Sequence, residues 1–113
     1  MDLVMASGIE RFQVYRVTLN PTRGAEMRKT RPAAIISPDE LNRSLSTVII
    51  APMTTTVRQW PCRVVISFNG KEGEVALDQL RAIDQTRCRE HLGRLDEQAA
   101  CQITERLQAM FAR

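Results

Sequence analysis

The sequence predicts a mostly β fold with some α: a small, partly open antiparallel barrel finished by a C-terminal helix. Three observations carry this. Short apolar runs rich in Val, Ile and Thr recur along the chain, separated by polar segments with Pro and Gly, as strands and turns require. Asn69-Gly70 sits between two such runs, and Asn-Gly is the strongest short hairpin signal. The last segment changes period: Ala99, Ile103, Leu107 and Met110 or Phe111 recur at helical spacing behind Asp96, a capping residue. About four to six short strands are expected before that helix.

The elements follow in order. "FQVYRVTL" (12–19) reads as a strand with Tyr15, Val17 and Leu19 on one face. "NPTRGAEMRKTRP" (20–32) is a connection crowded with cations. "PAAIIS" (32–37) is a second strand, with Pro32 at its first position, where no ladder donor is needed. That proline also restricts Arg31 to extended backbone. "SPDELNRSLS" (37–46) should make one or two helical turns, with Ser37 as N-cap and Pro38 as first helical residue. "TVIIAPM" (47–53) is a buried strand, and "TTTVRQWP" (54–61) a polar loop holding the only Trp. "CRVVISF" (62–68) alternates, placing Cys62, Val64, Ile66 and Phe68 on one side. "EVAL" (74–77) is the returning strand and "QLRAID" (79–84) a short strand or bend.

With 113 residues the chain fits one domain, read as a loose leader over 1–10 and a single domain over 11–113. No apolar run approaches the ~20 residues that span a bilayer. The opening "MDLVMASGIERF" lacks a cationic start and an apolar core, so no membrane or secretory role is expected and the cytoplasm is the default. Three scattered cysteines and one histidine offer no metal-ligand spacing, and neither a metal nor a cofactor is expected. The net charge is +3, and of sixteen basic residues fourteen are Arg. Planar guanidinium suits phosphate, although a GC-rich genome would also enrich Arg.

Three ordered segments resemble a known family. "VYRVTLNPTRGAEMRKTRPAAIIS" is similar to the opening of the MazF/PemK (Kid) toxins, with an aromatic-x-Val strand, a Pro-Thr turn, x-Gly-x-Glu, and Arg-Pro before an apolar strand. "TVIIAPMTT" resembles the family's apolar strand ending in Pro-x-Thr. "GEVALDQLRAID" resembles its Asp-Gln segment, and "ERLQAMF" its terminal helix. The likeness runs from about residue 11 to 112. It implies a CcdB/PemK-type SH3-like barrel that homodimerises, and the toxin half of a toxin–antitoxin pair. The activity it implies is metal-independent, sequence-specific endoribonucleolytic cleavage of single-stranded RNA. The adjacent 2′-OH attacks, leaving a 2′,3′-cyclic phosphate and a 5′-OH, and growth arrest follows from blocked translation. An acidic, flexible C-terminal antitoxin segment is the implied partner.

That chemistry needs a proton acceptor, stabilisation of a phosphorane and protonation of the leaving oxygen. One His excludes a two-imidazole mechanism within a chain. Arg31 matches the family's active-site Arg, and its fork can hold both nonbridging oxygens. Thr54 matches the Thr of Pro-x-Thr; it could donate to phosphate, or cap a strand end. Glu26 could act as base or orient Arg31, or be a solvated carboxylate beside Arg28 and Lys29. Asp78 and Gln79 match the family's Asp-Gln, as catalytic or supporting residues. In the Kid branch the Asp is the proposed base, with an Arg two positions before it and a His before the loop Glu. Here those positions are Ala76 and Ala25, so Asp78 could instead anchor its strand. Arg23, Arg28, Lys29, Thr55 and Thr56 are candidate RNA contacts, the basic connection forming a mobile flap over the groove. Trp60 is either a stacking platform or a residue buried at a rim or dimer interface. Two rival readings stand beside the ribonuclease. A CcdB-like gyrase poison is disfavoured by an ending in "MFAR" where that family has Trp-Gly-Ile. A catalytically degenerate toxin or adaptor would follow from the two alanines.

Overall fold

The computed structural model describes residues 8–113. Of the expected leader, residues 1–7 lie outside that range, while Ile9 packs into the core. The elements are β1 (Gln13–Thr18), β2 (Thr30–Ile35), α1 (Asp39–Ser44), β3 (Thr47–Thr54), β4 (Arg63–Phe68), β5 (Lys71–Ala76), β6 (Arg81–Asp84), β7 (Cys88–Arg94) and α2 (Glu97–Phe111). Single 3₁₀ turns cover Leu77–Gln79 and Gln85–Arg87.

The strands form one antiparallel sheet in the order β4-β5-β3-β2-β1-β7, with β6 also paired to β3. Strand β3 is the pivot. One edge pairs with β2; along the other, Thr47–Ile50 pair with β6 and Met53 and Thr54 pair with β5. A strand that changes partner midway must bend, and the sheet curls there into a half-barrel. Alternation then fills two core layers. Val14, Ala34, Ala51, Met53, Val64, Ile66 and Val75 face α2 and its Ala99 and Ile103. Val17, Leu19, Ala33, Ile35, Val48, Ile50 and Ile83 fill the opposite layer. The open ends approach each other through side chains: a Cβ at Gly93 of β7 would come within 3.1 Å of the Phe68 ring of β4.

The expected mostly β architecture with a C-terminal helix is therefore present, with several local corrections. Seven strands form, against the expected four to six. The extra one is β7, "CREHLGR". It has almost no apolar alternation, and its place comes from the ladder to β1. Pro32 is the third residue of β2, not the first. It is tolerated because the β2–β3 register ends at Ala33↔Pro52, so its missing N–H lies past the ladder. Ser37 does not cap α1, whose N-cap is Pro38 with no side-chain bond. Instead the Ser37 hydroxyl donates to Asn42 Oδ1 at 2.5 Å and accepts from the Ile49 amide at 3.0 Å. Asn69 and Gly70 both have positive φ, as the hairpin signal requires, but the returning strand already begins at Lys71. Asp96 caps α2 by accepting from the Ala99 amide. The apolar stripe of α2 ends early, and Phe111 is 70% exposed. No helix among the described residues is long and apolar enough to cross a membrane.

Gly73 sets how closely β5 approaches β3. A Cβ there would lie 2.5 Å from the Thr54 carbonyl oxygen, far inside contact distance. Gly73→Ala should therefore push β5 away from Thr54 and lower stability by about 1–3 kcal/mol, measurable as a shifted urea midpoint.

Candidate active site

An open groove of about 420 Å³ runs between the β1–β2 connection and the β4–β5 hairpin. Its floor is apolar, from Pro32, Met53, Ile66 and Phe68. Cations line its rim: Arg28, Lys29 and Arg31 on one side and Lys71 on the other. The chain has two lysines, and both are here. Thr54 and Thr55 close one part of the wall, and Glu72–Glu74 of β5 another.

Arg31 sits in β2 opposite Val17 of β1, so sheet pairing fixes its backbone. Its Nε donates to the Arg28 carbonyl at 3.2 Å, which orients the guanidinium. Among the described residues no carboxylate pairs with it, and its remaining donors are free to take an anion. Thr54 ends β3 in register with Glu74. Its Oγ1 accepts from the Thr56 amide at 3.1 Å, which leaves the hydroxyl proton available to donate.

Three hydrogen bonds tie the basic connection to its surroundings. The Leu19 amide donates to the Lys29 carbonyl at 2.9 Å, and Asn20 Oδ1 accepts from the Lys29 amide at 3.1 Å. Gln79 Oε1 accepts from the Met27 amide at 3.2 Å, tying the middle of the connection to the turn after β5. Gln79 is thus a support for the rim. Glu26 closes its own turn, with Oε1 accepting from the Arg23 amide at 2.6 Å. It reaches neither Arg31 nor the groove lining. Neither Arg23 nor Thr56 lines the groove. Glu26→Gln keeps the local acceptor and should leave kcat/KM within about threefold of wild type in a fluorogenic RNA assay, whereas a general base would cost 10²-fold or more.

Asp78 also lies outside the groove, engaged by Arg63. Arg63 Nε donates to Asp78 Oδ1 at 2.6 Å and Nη2 to Oδ2 at 3.3 Å, while Nη1 donates to Glu74 Oε1 at 3.2 Å. Burial alone would raise the Asp78 pKa. The Arg63 hydrogen bonds and charge, with a backbone hydrogen bond, outweigh it, and the net shift is downward. Donating to the Asp78 carboxylate in turn holds Arg63 more firmly protonated. A lowered carboxyl pKa contributes stability that is present above the unfolded value of about 4 and is lost as pH falls through the folded value. Wild-type stability should therefore be flat from about pH 5 to 8 and fall below about pH 4, with a shallower fall in Asp78→Asn, as chemical melts across pH would show.

Of the residues the sequence singles out, the groove brings together Arg31, Thr54, Thr55, Arg28 and Lys29, and Trp60 is not among its lining. Sequence reasoning missed Lys71, the apolar floor and Gly73. The hairpin signal at Asn69-Gly70 could have found Lys71, because the residue after that turn starts the returning strand. It also missed Arg63 and Glu74, which nothing in a period-2 apolar pattern flags. Among the described residues no group of three or more His, Cys, Asp or Glu could hold a metal.

Cations over an apolar floor, with a hydroxyl in the wall and a guanidinium that has no carboxylate partner among the described residues, suit an extended polyanion carrying flat apolar groups. Comparison with known proteins gives the family. Residues 10–111 match the family described as PemK-like, MazF-like toxin of type II toxin–antitoxin system. The chain belongs to this family. Endoribonuclease EndoA of Bacillus subtilis is 27% identical over 110 residues, covering 92% of this chain and 95% of that protein. Endoribonuclease MazF of Staphylococcus epidermidis is 31% identical over 105 residues, covering 88% of each. The crystal structure of MazF from Deinococcus radiodurans superposes with a TM-score of 0.81 at 21% identity, covering 93% of this chain and 97% of that one. A MazE–MazF structure from the same organism gives 0.74. The half-barrel with its C-terminal helix is therefore the fold of the MazF toxins.

Proposed function

We propose that this toxin is an endoribonuclease that cuts single-stranded RNA in the groove between the β1–β2 connection and the β4–β5 hairpin. The observation that carries the reading is Arg31: a guanidinium on a fixed strand, without a carboxylate partner among the described residues, facing an apolar-floored groove. The 2′-oxygen attacks phosphorus and gives up its proton, the bond from phosphorus to the 5′-oxygen breaks, and that oxygen takes up a proton. Cyclic phosphate and 5′-OH ends result. Arg31 stabilises the charge on the nonbridging oxygens, and Thr54 donates to the same phosphate. Arg28, Lys29 and Lys71 hold neighbouring phosphates, and the bases rest on Met53, Ile66 and Phe68. The same cationic rim is suited to an acidic antitoxin segment, and we read the working unit as a homodimer.

Purified protein incubated with mixed single-stranded RNA in EDTA should give cuts at a short preferred sequence, with cyclic phosphate ends on mapping. Absence of cutting above an Arg31→Ala control would overturn the assignment. The groove cations also set a salt dependence. Four of them line the groove. Each neutralised phosphate on a single strand contributes roughly −0.7 to the slope of log K against log salt. Binding of an uncleavable RNA should therefore show a slope of roughly −2 to −3, and Lys71→Gln should reduce it by about 0.7.

A further inference from the structure

The side chains of Glu74 and Arg63 are buried, exposed to 0% and 4%, and both are ionic. Such a pair carries a desolvation penalty that well-packed apolar residues would avoid, so it is poorly explained by stability alone. Its geometry shows what it holds. Glu74 Oε2 accepts from two successive amides of the β3–β4 loop, Arg58 at 2.8 Å and Gln59 at 2.6 Å. Glu74 Oε1 takes Arg63, and Asp78 takes the other edge of the same guanidinium at 2.6 and 3.3 Å. The Arg63 guanidinium carbon lies 4.5 Å from the centroid of the Trp60 ring, a cation–π contact, and the Arg63 amide donates to the Trp60 carbonyl. Arg58 approaches the same ring at 5.2 Å. Arg106 of α2 donates to the carbonyls of Pro61 and Arg63 and fixes the far end of the loop.

Within this network Arg63 and Arg58 contact Trp60 directly, and the ring is nonetheless 45% exposed. Its loop leaves the groove wall at Thr54, and Glu74 is the register partner of Thr54. Trp60 itself is not among the residues that line the groove. We propose that Glu74, Arg63 and Asp78 form a buried ionic chain that fixes the β3–β4 loop so that Trp60 presents its ring to a base of the bound single strand where that strand runs on past Thr54, outside the groove. The inference rests on the ribonuclease reading above. It makes Asp78 a positioning residue acting through Arg63, not a proton acceptor at the reacting 2′-oxygen. A stacked base adds affinity without sequence readout, since every base has a π-face.

Trp60 is the only Trp, so its fluorescence reports on the platform directly. Free protein should be readily quenched by acrylamide, and an RNA with a 2′-deoxy cut site should quench the emission and then block acrylamide. Trp60→Ala should raise KM roughly tenfold with kcat within about twofold, and Trp60→Phe should recover most of the loss. Glu74→Gln should raise KM by a similar factor in the wild-type background and by nothing further in Trp60→Ala. An equal penalty in both backgrounds would mean a merely structural role and overturn the proposal. Asp78→Asn, at the solvent edge of the chain, serves the same cycle if Glu74→Gln does not fold. Its kcat/KM profile should keep the wild-type acid limb. A loss of 10³-fold with that limb removed would make Asp78 the base and sink the idea. Trp60 already hidden from acrylamide in free protein would make it an interface residue, also overturning the platform. Protein that cleaves RNA without Trp60 quenching refutes the platform but keeps the ribonuclease; protein that does neither refutes both.

Discussion

Replacing Arg31 by Ala should lower kcat/KM by at least about 10³-fold while leaving the thermal midpoint within a degree or two. Removing one donor from a preorganised oxyanion site typically costs 10²–10³, and an arginine on a phosphoryl transition state 10³–10⁵. Most of the loss should fall on kcat. In the ground state Arg31 is one cation among four at the groove, and losing it weakens binding only a few-fold. On the proposed mechanism it meets, in the transition state, charge on the nonbridging oxygens that the other three cations do not neutralise. Stability should hold because the side chain makes a single hydrogen bond, to the Arg28 carbonyl, and no ion pair among the described residues. Arg31→Lys should recover little, since an ammonium cannot grip two oxygens with a fork. Residual activity above about 10% in Arg31→Ala would place the decisive stabilisation elsewhere, with Lys71 the first residue to test.

The contrast between Arg31 and its neighbours is structural. Arg28 and Lys29 sit on exposed connection backbone, and Lys29 has φ of 70°, held in place by the Asn20 side chain. Arg31 is two residues further on, inside the β1–β2 ladder opposite Val17. A group that must already be in place when charge develops gains from such a backbone. A group that gathers flanking phosphates can tolerate movement.

Much of this was legible in the sequence, for physical reasons that also explain the gaps. Period-2 apolar runs fix strands whose faces are buried, so β1, β3 and β4 could be read directly. Strand β7 could not, because its pairing with β1 supplies main-chain bonds that leave no mark on side-chain pattern. The groove's cations were readable where they clustered, at Arg28, Lys29 and Arg31. Lys71 was not, because it enters the groove from a hairpin 40 residues later, and only the fold brings it across. The least legible feature was the burial of Arg63. Its strand alternates as expected, with Val64 and Ile66 in the core and Val65 exposed, so Arg63 should face solvent. The β3–β4 loop and the turn at Asp78 fold over that face and cover it. Asp78 illustrates the same limit: it sits in the family's Asp-Gln segment, yet its partner is an arginine from β4. Arg63 stands in register with Ala76, the position where the Kid branch carries its own Arg.

Arg63→Ala should be strongly destabilising, costing about 3–5 kcal/mol. The cost comes from what remains. Glu74, with no exposure, would keep its two loop amides but lose the one counterion it has among the described residues, and Asp78 would lose both hydrogen bonds from the guanidinium. A buried carboxylate without a cation must either bind a proton or draw in water, and each opens the β3–β4 loop. For a domain whose total stability is about 5–15 kcal/mol, such a loss leaves a measurable unfolded fraction at 37 °C. Arg63→Lys should lose less, since the charge survives while the fork and the Trp60 contact do not. The discriminating measurement is urea unfolding at pH 7 and pH 4.5. The lowered Asp78 pKa supplies stability that Arg63→Ala forfeits and that fades as pH falls, so the deficit should shrink at the lower pH, whereas a simple packing defect would be the same at both. A deficit that is equal at the two pH values, or below about 1 kcal/mol at pH 7, would mean that water already reaches Glu74 in solution and that the loop is held by its amides alone.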